Sequence, residues 1–176
     1  MGLQFPCLYT QQVIDHVDCL LRHGGISSIL GQLLDATIER AKVEIGVAGQ
    51  LFRCDFHRTG FLLTNSWVKQ VWKEVQEYEL EVNKCSSSRY LHRTNDQFIM
   101  TAFMDHGYSK SQLLTLNKCR LYLRVLTLAD MVSGDGWYIL PHFFRRINPL
   151  EQYSSIRWPE QGCPTDSAWL LWTQAL

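Results

Sequence analysis

Lys110, Gln112, Asn117, Lys118 and Arg120 lie close together in one short stretch. Lysine and arginine are the cations that meet phosphates, and asparagine and glutamine carry the paired donor and acceptor that read base edges. Ser111 and Thr115 add hydroxyls of the same use. The surrounding segment, 102–121, has the layout of a helix-turn-helix: one helix, a short turn at Gly107, and a second helix opened by Ser109. These five residues are therefore the candidate nucleic-acid contact. An ordinary αα-hairpin with a solvated polar face carries the same residues, and Phe103 is bulky where such motifs commonly place a small residue before the turn glycine.

Other chemistry is thinner. Six histidines and six cysteines supply metal ligands, yet the close pairs are only His16 with Cys19 and Cys54 with His57, each three residues apart. Zinc sites show such pairs in sets, and two partly buried residues that never meet a metal share the spacing, so neither a metal nor a cofactor is expected. Asp130 and Asp135, around the Ser133-Gly134-Asp135-Gly136 turn, could hold a phosphate or a divalent cation, but Asp-Gly is also a routine turn pair. No phosphate-binding glycine loop, serine elbow or H-E-x-x-H helix occurs. No catalytic residue is assigned, and the chain is not expected to be an enzyme on its own. The cysteines follow no C-x-x-C pattern and read as reduced thiols that are structural or incidental.

Seventeen basic and seventeen acidic residues cancel, so no global field draws the 176-residue chain onto nucleic acid or an anionic membrane. Any such contact is local. A hydrophobic content of 46%, with six tryptophans, is that of a folding sequence. The longest apolar runs fall far short of the roughly 20 residues that span a bilayer. The N-terminus lacks the basic start and apolar core of a secretory signal, which predicts a soluble, intracellular protein with no membrane partner. The oligomeric state is left open.

The elements that must position these side chains are mostly helices. Val13, Val17, Leu20 and Leu21 share a face over 10–22, ending at Gly24-Gly25. Ser27 caps a second helix carrying Ile29, Leu30, Leu33, Leu34, Ile38, Ala41 and Ile45 up to Gly46. Together they form a hairpin whose apolar stripes need a further layer. A third helix holds Trp67, Val71, Trp72, Val75 and Tyr78, with Lys73 and Glu77 one turn apart. Asn95 caps a fourth, through Phe98 to Phe103, with Asp96 at its positive end. Ser109 and Gln112 have the spacing of a capping box for the fifth, whose end is ambiguous between helix and strand near Leu121–Val125. Thr165 opens a sixth that buries Trp169 and Trp172. Short β segments are expected at 51–55 and 137–144.

The expected fold is thus mainly α, an irregular bundle of five to six helices with one or two short β segments. It is a single domain, or a fragment of a larger protein, over 1–176 with a possible seam near 83–93. A chain that stops inside a short helix carrying two tryptophans reads as a piece of a longer polypeptide. Exposed tryptophans stack single-stranded bases; Trp158 and Trp172 are the candidates, with Trp67, Trp72 and Trp169 expected in the core.

Longer stretches carry a likeness to a known family. Gln32-Leu33-Leu34 through Glu44-Ile45-Gly46, Leu63-Thr64-Asn65-Ser66-Trp67 with Trp72, and Arg93-Thr94-Asn95-Asp96-Gln97-Phe98-Ile99-Met100 form its first half. Leu116 to Leu123, Thr127-Leu128-Ala129-Asp130, and Trp158-Pro159-Glu160-Gln161 with Trp169 and Trp172 continue it. The whole resembles segments beyond the reverse-transcriptase palm in polyproteins of eukaryotic retroelements, particularly algal and other protist ones, over roughly residues 30–176. The resemblance implies a non-catalytic thumb-like or connection-like region whose partners are nucleic acid or adjoining polyprotein domains. The palm motif, an aromatic followed one residue later by two aspartates, is absent, so no polymerase residue carries over. The alternative is a stand-alone intracellular interaction domain that docks a protein through aromatic and leucine faces.

Overall fold

Serine and threonine side chains start four of the helices. Each accepts a backbone N–H that the first turn leaves without an intrahelical partner. Ser28 caps α2 (Ile29–Ile45) through the Gly31 amide at 3.1 Å. Ser66 caps α4 (Trp67–Glu77) through Lys69, Ser109 caps α6 (Lys110–Leu123) through Gln112, and Thr165 caps α7 (Asp166–Ala175) through Ala168. Asp55 does the same for the one-turn helix α3 (Phe56–Thr59), taking the amides of His57 and Arg58. The remaining helices are α1 (Leu8–His23) and α5 (Ile99–Asp105). This computed structural model describes residues 7–47, 49–82, 96–144 and 158–176. The chain is mainly α: seven α-helices and four short 3-10 turns, with no strand among the described residues.

Three sequence expectations change in detail. The stretch 51–55 folds as a 3-10 turn, Leu51–Arg53, because Leu51 and Phe52 both point into the core and no neighbouring strand pairs with them. The 137–144 stretch keeps only an isolated bridge, Val132 to Ile139, before Pro141 begins another 3-10 turn. The fourth helix begins at Ile99, later than its expected cap: the Ile99 amide donates to Leu126 O and the Leu128 amide to Gln97 O, which holds 97–98 extended. Asp96 instead accepts the Ala129 amide. Asn95 and the expected seam near 83–93 lie outside the described residues.

Helix ends are as informative as starts. α4 ends with the Leu80 amide bonded to Val75 O at 2.8 Å and the Glu79 amide to Gln76 O at 3.2 Å, with Glu79 in the left-handed region at φ 52°. α6 ends in the same double pattern around Arg124 at φ 56°. Both are Schellman turns, built on charged residues where glycine is the usual choice.

The core is one cluster running through all the longer helices. Trp72 is fully buried, its indole N–H donating to Cys54 O at 3.1 Å while the Phe56 ring stands edge-on 5.1 Å away. Trp172 plays the same part at the other end, donating to Phe143 O and packing on Phe103. α1 lies over α4 and α2. Its polar anchor is His16, whose Nδ1 is 2.7 Å from Oε2 of the fully buried Glu74; Gln70 donates to the other oxygen. No described helix is long and apolar enough to cross a membrane.

Candidate functional site

The five candidate nucleic-acid residues separate into two groups once α6 is packed. Gln112 is exposed but occupied: its Oε1 accepts both the Ser109 amide and the Ser109 hydroxyl, completing the capping box. Lys110 and Lys118 remain at the surface, Lys110 with its ammonium 5.7 Å from the centre of the Phe61 ring. Asn117 and Arg120 point the other way. Arg120 is 0% exposed and Asn117 is buried with it, so neither reaches a phosphate or a base.

What Arg120 does instead follows from its donors. Nη2 donates to Val43 O at 2.7 Å and to Glu44 O at 3.0 Å, Nη1 to Val125 O, and Nε to Asn117 Oδ1 at 2.8 Å. Asn117 Nδ2 donates in turn to Glu44 O. Val43 and Glu44 are in the last turn of α2, whose carbonyls lack intrahelical partners, so α6 supplies the C-terminal cap of α2. Burial pushes the Arg120 guanidinium down to about 9, and the carboxylates of Glu44 and Asp130 pull it back up. It remains charged at neutral pH. Gly46 is required beside it: a Cβ there would stand 2.7 Å from Arg120 Cζ, on a backbone at φ 65°.

The other candidates disperse. His16 is taken by Glu74, and the Cys54 thiol donates to Gln50 O. Among the described residues no three His, Cys, Asp or Glu side chains converge as a metal site would need. Asp130 accepts the amides of Leu126 and Thr127, while Asp135 accepts the Ser133 hydroxyl and the Trp137 amide. Both aspartates brace turns. Trp172 is buried, Trp158 is half-buried, and Trp67 lies partly exposed against the His16 ring. The tryptophan that stands in solvent is Trp137, 87% exposed at the tip of the Ser133 turn.

A different surface stands out. Half of the large hydrophobic side chains exposed among the described residues belong to the N-terminal hairpin and its turn, from Leu8 to Leu33. On α1 the apolar arc is wider than the core can cover. Val13 and Leu20 are buried, whereas Ile14 and Leu21, about a third of a turn round, are not. On α2, Leu34, Ile38, Ala41 and Ile45 enter the core, and Ile29 (80% exposed), Leu30 and Leu33 (60%) face outward.

The α1 arc forms one wall of an open groove of about 380 Å³. Thr10, Val13, Ile14, Val17, Asp18 and Leu21 line it from α1, and Tyr78 and Leu80 from the Schellman turn after α4. Beyond that turn Val82 is buried, whereas Glu79, Leu80 and Glu81 are exposed. Tyr9 secures the corner by donating to Glu77 Oε2 at 3.0 Å, a bond that pushes its phenol pKa up. Glu77 thus meets Tyr9 rather than Lys73. A repeat of three and four identifies the apolar face of Val13, Val17, Leu20 and Leu21 without saying what covers it.

No protein-family model, no curated protein and no solved structure matches this chain.

Proposed function

We propose that this chain is a protein-interaction domain whose N-terminal helical hairpin receives an apolar partner surface. The observation that carries the reading is the concentration of exposed aliphatic side chains on α1 and α2, together with the apolar groove beside α1. Scattered exposed hydrophobics are ordinary, but a set gathered on one hairpin around a groove is the pattern of a docking surface. Asn117, Asp130 and Asp135 are committed to a helix cap and to turns.

Selection of helical peptides from a displayed library against the full chain tests this. Enriched peptides should bind the wild type and be lost on Ile14→Asp, a change at an exposed position that should shift stability by no more than about 0.5 kcal/mol. Selected peptides that bind Ile14→Asp unchanged, or a library that yields none, overturn the reading.

A second reading rests on the exposure of Lys110 and Lys118 on α6. Under it the chain is a retroelement-derived, connection-like segment that touches nucleic acid through this face. Two phosphate contacts give a log–log salt slope of roughly −1.8 for duplex DNA. Oligonucleotide titration at two salt concentrations measures it, and absent or salt-independent binding removes this reading.

A further inference from the structure

We infer that the groove beside α1 takes an amphipathic helix with lysine or arginine flanking its apolar stripe. The inference rests on the docking reading above and adds the chemistry of the occupant.

Shape comes first. Thr10, Ile14, Val17 and Leu21 are spaced four, three and four apart, so they form a single ridge along about 16 Å of α1. Tyr78 and Leu80 form the opposite wall. An open apolar groove bounded on one side by a helical ridge about three turns long, and on the other by Tyr78 and Leu80, can seat the i, i+3, i+7 side chains of a second helix. A small polar ligand fits less well, because such sites fix orientation with several convergent polar groups, and this lining offers chiefly Thr10 and Asp18.

Charge supplies the second half. Glu77, Glu79 and Glu81 are exposed on the Leu80 lip, and Asp18 lies on the α1 side. Arg22 sits 2.7 Å from Asp18 and offsets that carboxylate, and among the described residues the three glutamates are the charged side chains of the other lip. Glu79 holds a left-handed backbone in which glycine would be less strained, so the lip carries an acid where the turn itself asks for none. Lysine and arginine can lay their aliphatic stems over an apolar wall and place their cations against such a rim. The same rim disfavours an anionic bilayer or a nucleic acid. A second copy of this chain is a poorer match, since the exposed stripe on α2 is flanked by Asp35 and Glu39 as well as Arg40.

The test uses two fluorescein-labelled 18-residue synthetic helices with the same leucine stripe, one flanked by lysine and one by glutamate. Anisotropy against the full chain should show the lysine peptide binding at least tenfold tighter at low salt, with the gap narrowing at high salt. Glu79→Lys with Glu81→Lys should reverse the preference, and Ile14→Asp should abolish binding of both. Glu79→Gly, which relieves the left-handed backbone, keeps the test valid if the lysine double variant folds poorly; it should narrow the preference. Equal binding of the two peptides, still lost on Ile14→Asp, overturns the charge inference and leaves the docking reading standing. No binding of either overturns both. Sedimentation showing self-association that Ile14→Asp removes assigns the groove to a second copy and overturns the inference.

Discussion

A guanidinium taken fully out of water needs an acceptor for each N–H, and Arg120 finds two of its four acceptors, Val43 O and Glu44 O, at the end of another helix. Hydrogen bonds from a charged donor contribute about 1.5–3 kcal/mol each, and a buried carbonyl left without a donor costs about 1–3 kcal/mol. Arg120→Met strands Val43 O and Val125 O and removes the cation facing Glu44 and Asp130, so we expect a loss of about 3–5 kcal/mol, read as a lower urea midpoint at unchanged slope. Arg120→Lys should recover only part of this, since a point charge lacks the planar fork. A stability loss under about 1 kcal/mol for Arg120→Met would remove the capping role. Asn117 and Arg120 are spaced like surface polar residues, and nothing in α6 marks them as buried; the signal lies in the end of α2, distant in sequence. Cys7 makes a second case at this scale. It is exposed at the start of α1, where the Thr10 amide and hydroxyl lower its thiol pKa. Its alkylation by iodoacetamide at neutral pH should outrun that of free N-acetylcysteine, with a rate–pH midpoint displaced to lower pH, while buried Cys119 stays unmodified in the folded chain. A Cys7 profile that coincides with the free thiol rules this out.

Helices announce their starts in this chain better than their ends. Ser109 and Thr165 are starts that the sequence marks directly; for α4 the cap is Ser66, which sequence alone does not separate from Thr64 and Asn65, and for α2 it is Ser28, one residue past the expected Ser27. Gly46 marks the end of α2 because its φ of 65° suits glycine. The ends of α4 and α6 carry no such mark, because Glu79 and Arg124 occupy left-handed positions that sequence rules assign to glycine or asparagine. The strand-like alternation of Leu121, Leu123 and Val125 is the same ambiguity seen from sequence; α6 continues to Leu123, and Arg124 reverses the chain. Left-handed backbone costs an ordinary residue about 1–2 kcal/mol, and glycine returns part of that as lost entropy. Glu79→Gly should therefore raise stability by about 0.5–1 kcal/mol in thermal or urea unfolding while weakening the binding of a basic helix. Stability that falls on this substitution would mean that the Glu79 side chain holds the turn together by a contact worth more than the strain.

Burial is distributed unevenly over the molecule, and this sets which part can move. α6 buries seven residues, among them Leu116, Cys119, Arg120 and Leu123, and packs along α7. α1 buries only Val13 and Leu20, and its other contacts include the His16–Glu74 and Tyr9–Glu77 bonds and the ring contacts of His16 with Trp67 and Tyr9 with Tyr78. The mainly α class and most helix positions were legible because apolar periodicity and caps are local properties. The candidate site was not, because whether Ile14, Leu33 or Arg120 is covered depends on which helices meet, and no single helix carries that information. An element with few buried side chains opens at a lower free energy than the core it rests on. Amide hydrogen exchange should therefore place α1 in a less protected class than α6 and α7. Glu74→Gln should reduce protection in α1 more than in α6, since it weakens the anchor of His16 without emptying the core. A ligand helix in the groove contacts α1 and the Leu80 turn together, so saturation at about 100 times Kd should raise α1 protection by up to about 2.7 kcal/mol. Uniform protection across α1 and α6, unchanged by Glu74→Gln, would mean that the N-terminal hairpin belongs to the same cooperative unit as the core, and its exposed apolar face would then be a rigid platform rather than a movable one.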